Sequence, residues 1–112
     1  MAEKIKLVQG DTKPQVKLTI SENGSPIDIT GATVTLHFRA VGSSTTLFSR
    51  NASITDASAG VATVVWQTSD LVRDAGDYEG EVEVVFGDTT RQTVYDLLKF
   101  KLREDFAWAS IF

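Results

Sequence analysis

Apolar residues recur at every second position along most of this chain, and a period of two belongs to strands. Ile5 and Leu7 alternate with Lys4 and Lys6. Val16, Leu18 and Ile20 alternate with Lys17 and Thr19. Val34, Leu36 and Phe38 alternate with Thr33, Thr35, His37 and Arg39. Tyr78, Val82, Val84 and Phe86 alternate with Glu79, Glu81 and Glu83, and Leu98, Phe100 and Leu102 with Lys99, Lys101 and Arg103. Residues 45–50 and 61–66 are rich in Thr, Val, Phe and Trp and also read as strands. Turn residues fall between the runs, at Gly10-Asp11, Asn23-Gly24-Ser25-Pro26, Gly31, Gly42, Gly60, Gly76 and Gly87-Asp88. About seven or eight short strands so punctuated predict an all-β antiparallel sandwich. One segment reads as helical: Thr68 or Ser69 caps a single turn over residues 70–73, which Gly76 ends. The sandwich is expected to occupy residues 1–103 as one domain, with residues 104–112 as an apolar tail.

The last two strands permit a register argument. A three-residue loop across Gly87-Asp88-Thr89-Thr90 that pairs Gly87 with Arg91 sets Val84 opposite Val94, Gly80 opposite Leu98 and Tyr78 opposite Phe100. It also sets Glu79 against Lys99 and Asp77 against Lys101. An even loop would place Tyr78 opposite Lys99 and mix the two faces. The odd loop leaves Asp96 on the apolar face opposite Val82, a conflict that a bulge near Asp96-Leu97 removes.

Asp74-Ala75-Gly76-Asp77-Tyr78 sits between the expected helical turn and a strand. D-x-(A/G)-x-Y is the pattern of the corner where immunoglobulin-like sandwiches cross between sheets, with a Tyr hydroxyl bonded to upstream backbone. Asp74, Gly76 and Tyr78 are therefore the expected corner. Gly80 stands where an antibody domain has its cysteine, so the expected fold is an immunoglobulin-like sandwich without a disulfide.

Composition bounds the chemistry. The chain has 112 residues, a net charge of −4, no Cys and one His. Nucleic-acid binding needs a basic face to displace counterions, so an acidic chain argues against it. Without Cys there are no thiolate metal sites and no thiol catalysis. No window approaches the ~20 apolar residues of a membrane span. The start, MAEKIKLVQG, lacks the apolar run of a secretory signal, so synthesis in the cytoplasm is expected. Glu79, Glu81 and Glu83 step along one strand face at about 6.6 Å, too far apart to share an ion, and read as an ion-paired face. His37 lies on a polar strand face, and no serine sits in a G-x-S-x-G elbow. Neither glycine-rich phosphate loop occurs. Neither a cofactor nor a metal is expected, nor is an enzyme. Trp66, Phe48 and Trp108 are the rings a sugar could stack on, and exposure of Trp66 and Phe48 together would favour a carbohydrate-binding or adhesion module. Trp66, at a strand end, reads as core.

The tail is the oddest feature. Phe106, Trp108, Ile111 and Phe112 crowd the last seven positions, whereas terminal residues are usually polar and frayed. An apolar run of this size must pack on its own sandwich or on a partner, so these four are the candidate interface. Docking on a second copy would make the protein a homo-oligomer.

Four stretches carry a family resemblance: LVQGDTKPQVKLTI (7–20), GSPIDITGATVTLHF (24–38), ITDASAGVATVVW (54–66) and AGDYEGEVEVVFGD (75–88). In order and spacing they resemble the N-terminal immunoglobulin-like domain of phage baseplate upper proteins and related tailed-phage virion modules. Gly10-Asp11-Thr12, Ile29 through Val34, Asp56 through Gly60, and Gly76 with Tyr78 and Glu81 occupy the family's turn and strand positions. The resemblance implies a virion structural protein that docks onto other phage proteins, and it brings no catalytic residues. Family members usually continue into a linker and a helical or fibre segment. This sequence stops at Phe112, so a small stand-alone virion protein is expected in place of a host adhesin.

Overall fold

A computed structural model describes residues 4–94 and 97–105. It is all-β. The strands are β1 (Ile5–Val8), β2 (Val16–Thr19), β3 (Ser21–Glu22), β4 (Ser25–Pro26), β5 (Thr33–Ala40), β6 (Phe48–Asp56), β7 (Val61–Val64), β8 (Gly76–Val85), β9 (Arg91–Thr93) and β10 (Leu98–Arg103). Eight of them form one curled sheet in the order β1-β10-β8-β5-β6-β7-β2, with β9 also on β8, while β3 and β4 make a separate small hairpin. The curl is made by β6. Its first half, Phe48 to Ala52, pairs with β5, and its second half pairs with β7 from Ser53 on, with an extra residue in that ladder between Ile54 and Asp56. β6 thus passes from one layer to the other at Ala52–Ser53, just before the extra residue, and the sheet becomes two facing layers.

The core lies between the layers. Val34, Leu36, Phe38, Val82, Val84, Phe100 and Leu102 face Val16, Leu18, Ala62 and Val64, all buried. These are the alternate positions of each strand, so period two in the sequence becomes an inside and an outside in space. Phe38 is the hub. Its ring lies 4.8 Å from Phe48, 5.1 Å from Tyr78, 5.2 Å from Phe100 and 5.6 Å from Trp66. Glycine is required at position 60, where φ is 72° and a Cβ would sit 2.4 Å from the Ile20 carbonyl oxygen and 2.8 Å from that of Ile27. A side chain there would push two backbone segments apart.

Four expectations need correction in detail. First, the sheet is not wholly antiparallel: β1 runs parallel to β10, with Ile5 beside Phe100 and Leu7 beside Leu102. The chain crosses to the other layer between β1 and β2, so the first strand need not reverse against the last. Second, the helical turn lies elsewhere. Residues 68–71 form a turn with i→i+3 bonds from Asp70 N–H to Gln67 and from Val72 N–H to Ser69. Among the described residues the 3₁₀ turn is Ala57–Ala59. Asp70 rather than Thr68 or Ser69 supplies the side-chain bond, accepting from the Gln67 N–H at 2.8 Å.

Third, the final hairpin has two registers. Away from the turn, Leu98 faces Gly80, Lys99 faces Glu79, Phe100 faces Tyr78 and Lys101 faces Asp77. Next to the turn, Val84 faces Gln92, not Val94. The loop is odd, but Phe86 and Thr90 close it, one residue earlier on each side than expected. Thr89 takes the left-handed conformation at φ 71°, and Asp88 accepts from the Thr90 N–H at 3.0 Å. The two registers differ by two residues, taken up between Val94 and Leu98, the stretch where a bulge was expected. Asp96 lies outside the described residues. Fourth, the strand expected at 45–50 starts at Phe48 and runs on to Asp56.

Candidate functional site

The outward face of β5, β8 and β10 is laced with ion pairs because opposite charges sit across the strands. Glu79 is buried between two cations: Arg39 Nε donates to it at 2.7 Å and Lys99 Nζ at 3.1 Å. Those hydrogen bonds hold its carboxyl below the usual range. Asp77 is likewise lowered, first by the Lys4 hydrogen bond at 3.0 Å. Glu83 meets Arg91 at 3.3 Å. Glu79 gives a pH expectation. A carboxyl whose folded value is depressed stabilises the fold above its unfolded value, and that stabilisation is lost as pH falls through the folded value. Denaturant midpoints should therefore drop as pH falls below about 4.3. Glu79→Gln should flatten that drop, and an unchanged pH profile would remove Glu79 from the account.

His37 has closer company than its sequence neighbourhood suggests. Its Nδ1 is 2.6 Å from Ser49 Oγ and its Nε2 is 3.3 Å from Glu83 Oε1. Ser49 lies directly opposite His37 on β6, and Glu83 comes from β8 on the other side. A serine, an imidazole and a carboxylate thus stand in a row, which no local motif could reveal because all three are cross-strand neighbours. The row has the order of a nucleophile, base and orienting acid. It lies on a sheet face, and the depression beside His37 holds about 40 Å³. Acyl transfer also needs donors aimed at a developing oxyanion. Here β5 is paired on both sides, which commits its backbone N–H groups to the ladders. Among the described residues, no group of three or more His, Cys, Asp or Glu side chains is placed to hold a metal ion.

The segment around residues 70–78 ties the end of the molecule together. The Tyr78 hydroxyl donates to the Asp74 carbonyl at 2.6 Å, and burial pushes its phenol up. Gly76 between them has φ 153°, which favours glycine. Tyr78→Phe should cost roughly 0.5–1.5 kcal/mol, the net worth of one hydrogen bond. A denaturant midpoint equal to the parent's would strip the hydroxyl of that role. Next to it, Asp70 is 1% exposed and takes both Nε and a terminal nitrogen of Arg50. Sequence reading gave no hint of this buried pair, since twenty residues separate the partners.

Trp66 is 2% exposed and donates from Nε1 to the Pro14 carbonyl at 3.0 Å, so it offers no platform for a sugar. Phe48 lies beneath the guanidinium groups of Arg50 and Arg73, each 5.1 Å from its ring centre. Phe106, Trp108, Ile111 and Phe112 lie outside the described residues. Among the described residues, no helix is long and apolar enough to cross a membrane.

A family model, the BppU N-terminal domain, matches residues 1–106, and the chain belongs to that family, the N-terminal domain of the phage baseplate upper protein. It is thereby a phage baseplate domain, associated with the virion. A search of curated proteins found no match.

Proposed function

We propose that this chain is a non-catalytic structural part of a tailed-phage baseplate and works by docking onto other virion proteins, as a homo-oligomer. The family match over residues 1–106 carries this reading. Three observations support it. The histidine row is partly buried on a sheet face, beside a depression of only about 40 Å³. The net charge of −4 suits protein partners better than nucleic acid. The strand order also fits an immunoglobulin-like scaffold: β5, β8 and β10 sit together as one group, and β2, β7 and the second half of β6 as the other. Residues 104–112 follow the last strand, and their four large apolar side chains supply the docking surface. Co-expression with each tail protein of the same phage, followed by size-exclusion chromatography, tests this. The chain should co-elute with at least one of them, and Trp108→Ser should weaken that complex. A chain that elutes alone from every mixture would overturn the reading.

A further inference from the structure

Arg73 differs from the other cations of the described residues. Arg39, Arg50 and Arg91 each meet a carboxylate, and so do Lys4, Lys99 and Lys101. Among the described residues Arg73 meets none, although its head is held in place. Its Nε donates to the Asp70 carbonyl at 2.8 Å, and its guanidinium lies 5.1 Å from the centre of the Phe48 ring. Its own carbonyl accepts from Gln9 Nε2 at 2.7 Å. Phe38 stacks on one face of Phe48, which leaves the other face to Arg73 and Arg50 together. The Asp70 carboxylate beside them is taken up by Arg50 and by the Gln67 N–H. Two positive charges therefore share one ring, and the terminal N–H groups of Arg73 are left for an outside acceptor. Lys6, Lys13 and Lys17 also lack a carboxylate among the described residues, but they are exposed. An exposed lysine is a mobile, hydrated point charge, whereas a partly buried arginine fixed at Nε presents a planar fork already in position.

We infer that Arg73 takes the side-chain carboxylate of an Asp or Glu on the virion protein that this domain docks onto. This rests on the docking reading above and names the chemistry of the partner. The two terminal nitrogens of a guanidinium match the two oxygens of a carboxylate, and a donor already held in place loses little freedom on binding. Position supports the same reading. Gln9 donates from its backbone N–H to the Arg103 carbonyl at 3.0 Å and from its side chain to the Arg73 carbonyl. The chain therefore leaves β10 beside the turn that carries Arg73, at the end of the molecule assigned above to docking. Val72, next to Arg73, is 50% exposed and adds apolar area to that end. Asp74 follows Arg73, Glu104 follows Arg103, and both are exposed. These acids leave the spot able to take one carboxylate and repel a polyanion such as a nucleic acid.

Two measurements test this. In the first, the nuclear magnetic resonance signals of the Arg73 Nε–H and the Val72 amide are followed during titration with N-acetylglutamate amide at constant ionic strength. Both signals should move along a saturating curve. N-acetylglutamine amide should leave them in place, and Arg73→Gln should abolish the movement at Val72. Equal movement with the glutamine compound, or none with the glutamate compound, would overturn the inference. Inorganic phosphate moving the signals further than the glutamate compound would assign the spot to phosphate and also overturn it. The second measurement uses the tail protein that co-elutes with the parent chain. Arg73→Gln should weaken that complex by about tenfold or more. Val72→Glu, which sets a competing carboxylate beside Arg73 at an exposed position, should weaken it similarly and leave the circular-dichroism spectrum unchanged. A complex indifferent to both substitutions would sink this inference and leave the docking reading standing. Failure of every tail protein to bind the parent chain would overturn the docking reading, and this inference with it.

Discussion

Phe38→Ala is expected to destabilise the protein by about 4 kcal/mol, within the usual range for deleting a buried aromatic ring. Phe38 is fully buried and touches four other rings, from both layers and the strand between them. Its removal leaves a void that Phe48, Tyr78, Phe100 and Trp66 cannot fill together, because each is held by its own strand or hydrogen bond. The ring pairs also contribute beyond buried area, at about 0.5–1.5 kcal/mol each. Urea denaturation of parent and variant measures this. A loss under about 1.5 kcal/mol would mean that the layers collapse onto the gap and that Phe38 is not the hub.

Asp70→Ala should cost about 3 kcal/mol, the low end for breaking a buried ion pair from one side. The carboxylate is 1% exposed and accepts from Arg50 twice and from the Gln67 N–H. Arg73 Nε bonds to the Asp70 carbonyl at 2.8 Å, so the same turn fixes both guanidinium groups over Phe48. Without the carboxylate, Arg50 keeps a quarter-exposed charge with no counterion and the Gln67 amide loses its partner. The double variant Arg50→Met with Asp70→Ala should lose less than the two single losses added together, because the second change removes the orphaned charge. Strict additivity in urea melts would show that the pair does not act as a unit.

The period-two runs were readable as strands because one buried face imposes alternation wherever it occurs. The far register of the last hairpin was readable for the same reason, since only one alignment sets Glu79 against Lys99 and Tyr78 against Phe100. Near the turn the reading slipped by two residues. Thr89 adopts a left-handed conformation usually given to glycine, so the loop begins at Gly87 rather than Asp88. Strand alternation does not say which strands meet, so the parallel pairing of β1 with β10 left no trace in the sequence. The same limit hid Ser49 and Glu83 beside His37 and Arg50 over Asp70, contacts made by strands and turns distant along the chain. Among the described residues β2 ends the strand order, and that too was unreadable, since an edge strand and an inner one show the same alternation.

The most direct test of a structural baseplate role is made on the phage particle itself. Purified virions should contain this chain in a fixed copy number by quantitative mass spectrometry, and gold-labelled antibody against it should decorate the baseplate end of the tail. A chain abundant in infected cells but absent from purified particles would contradict the account.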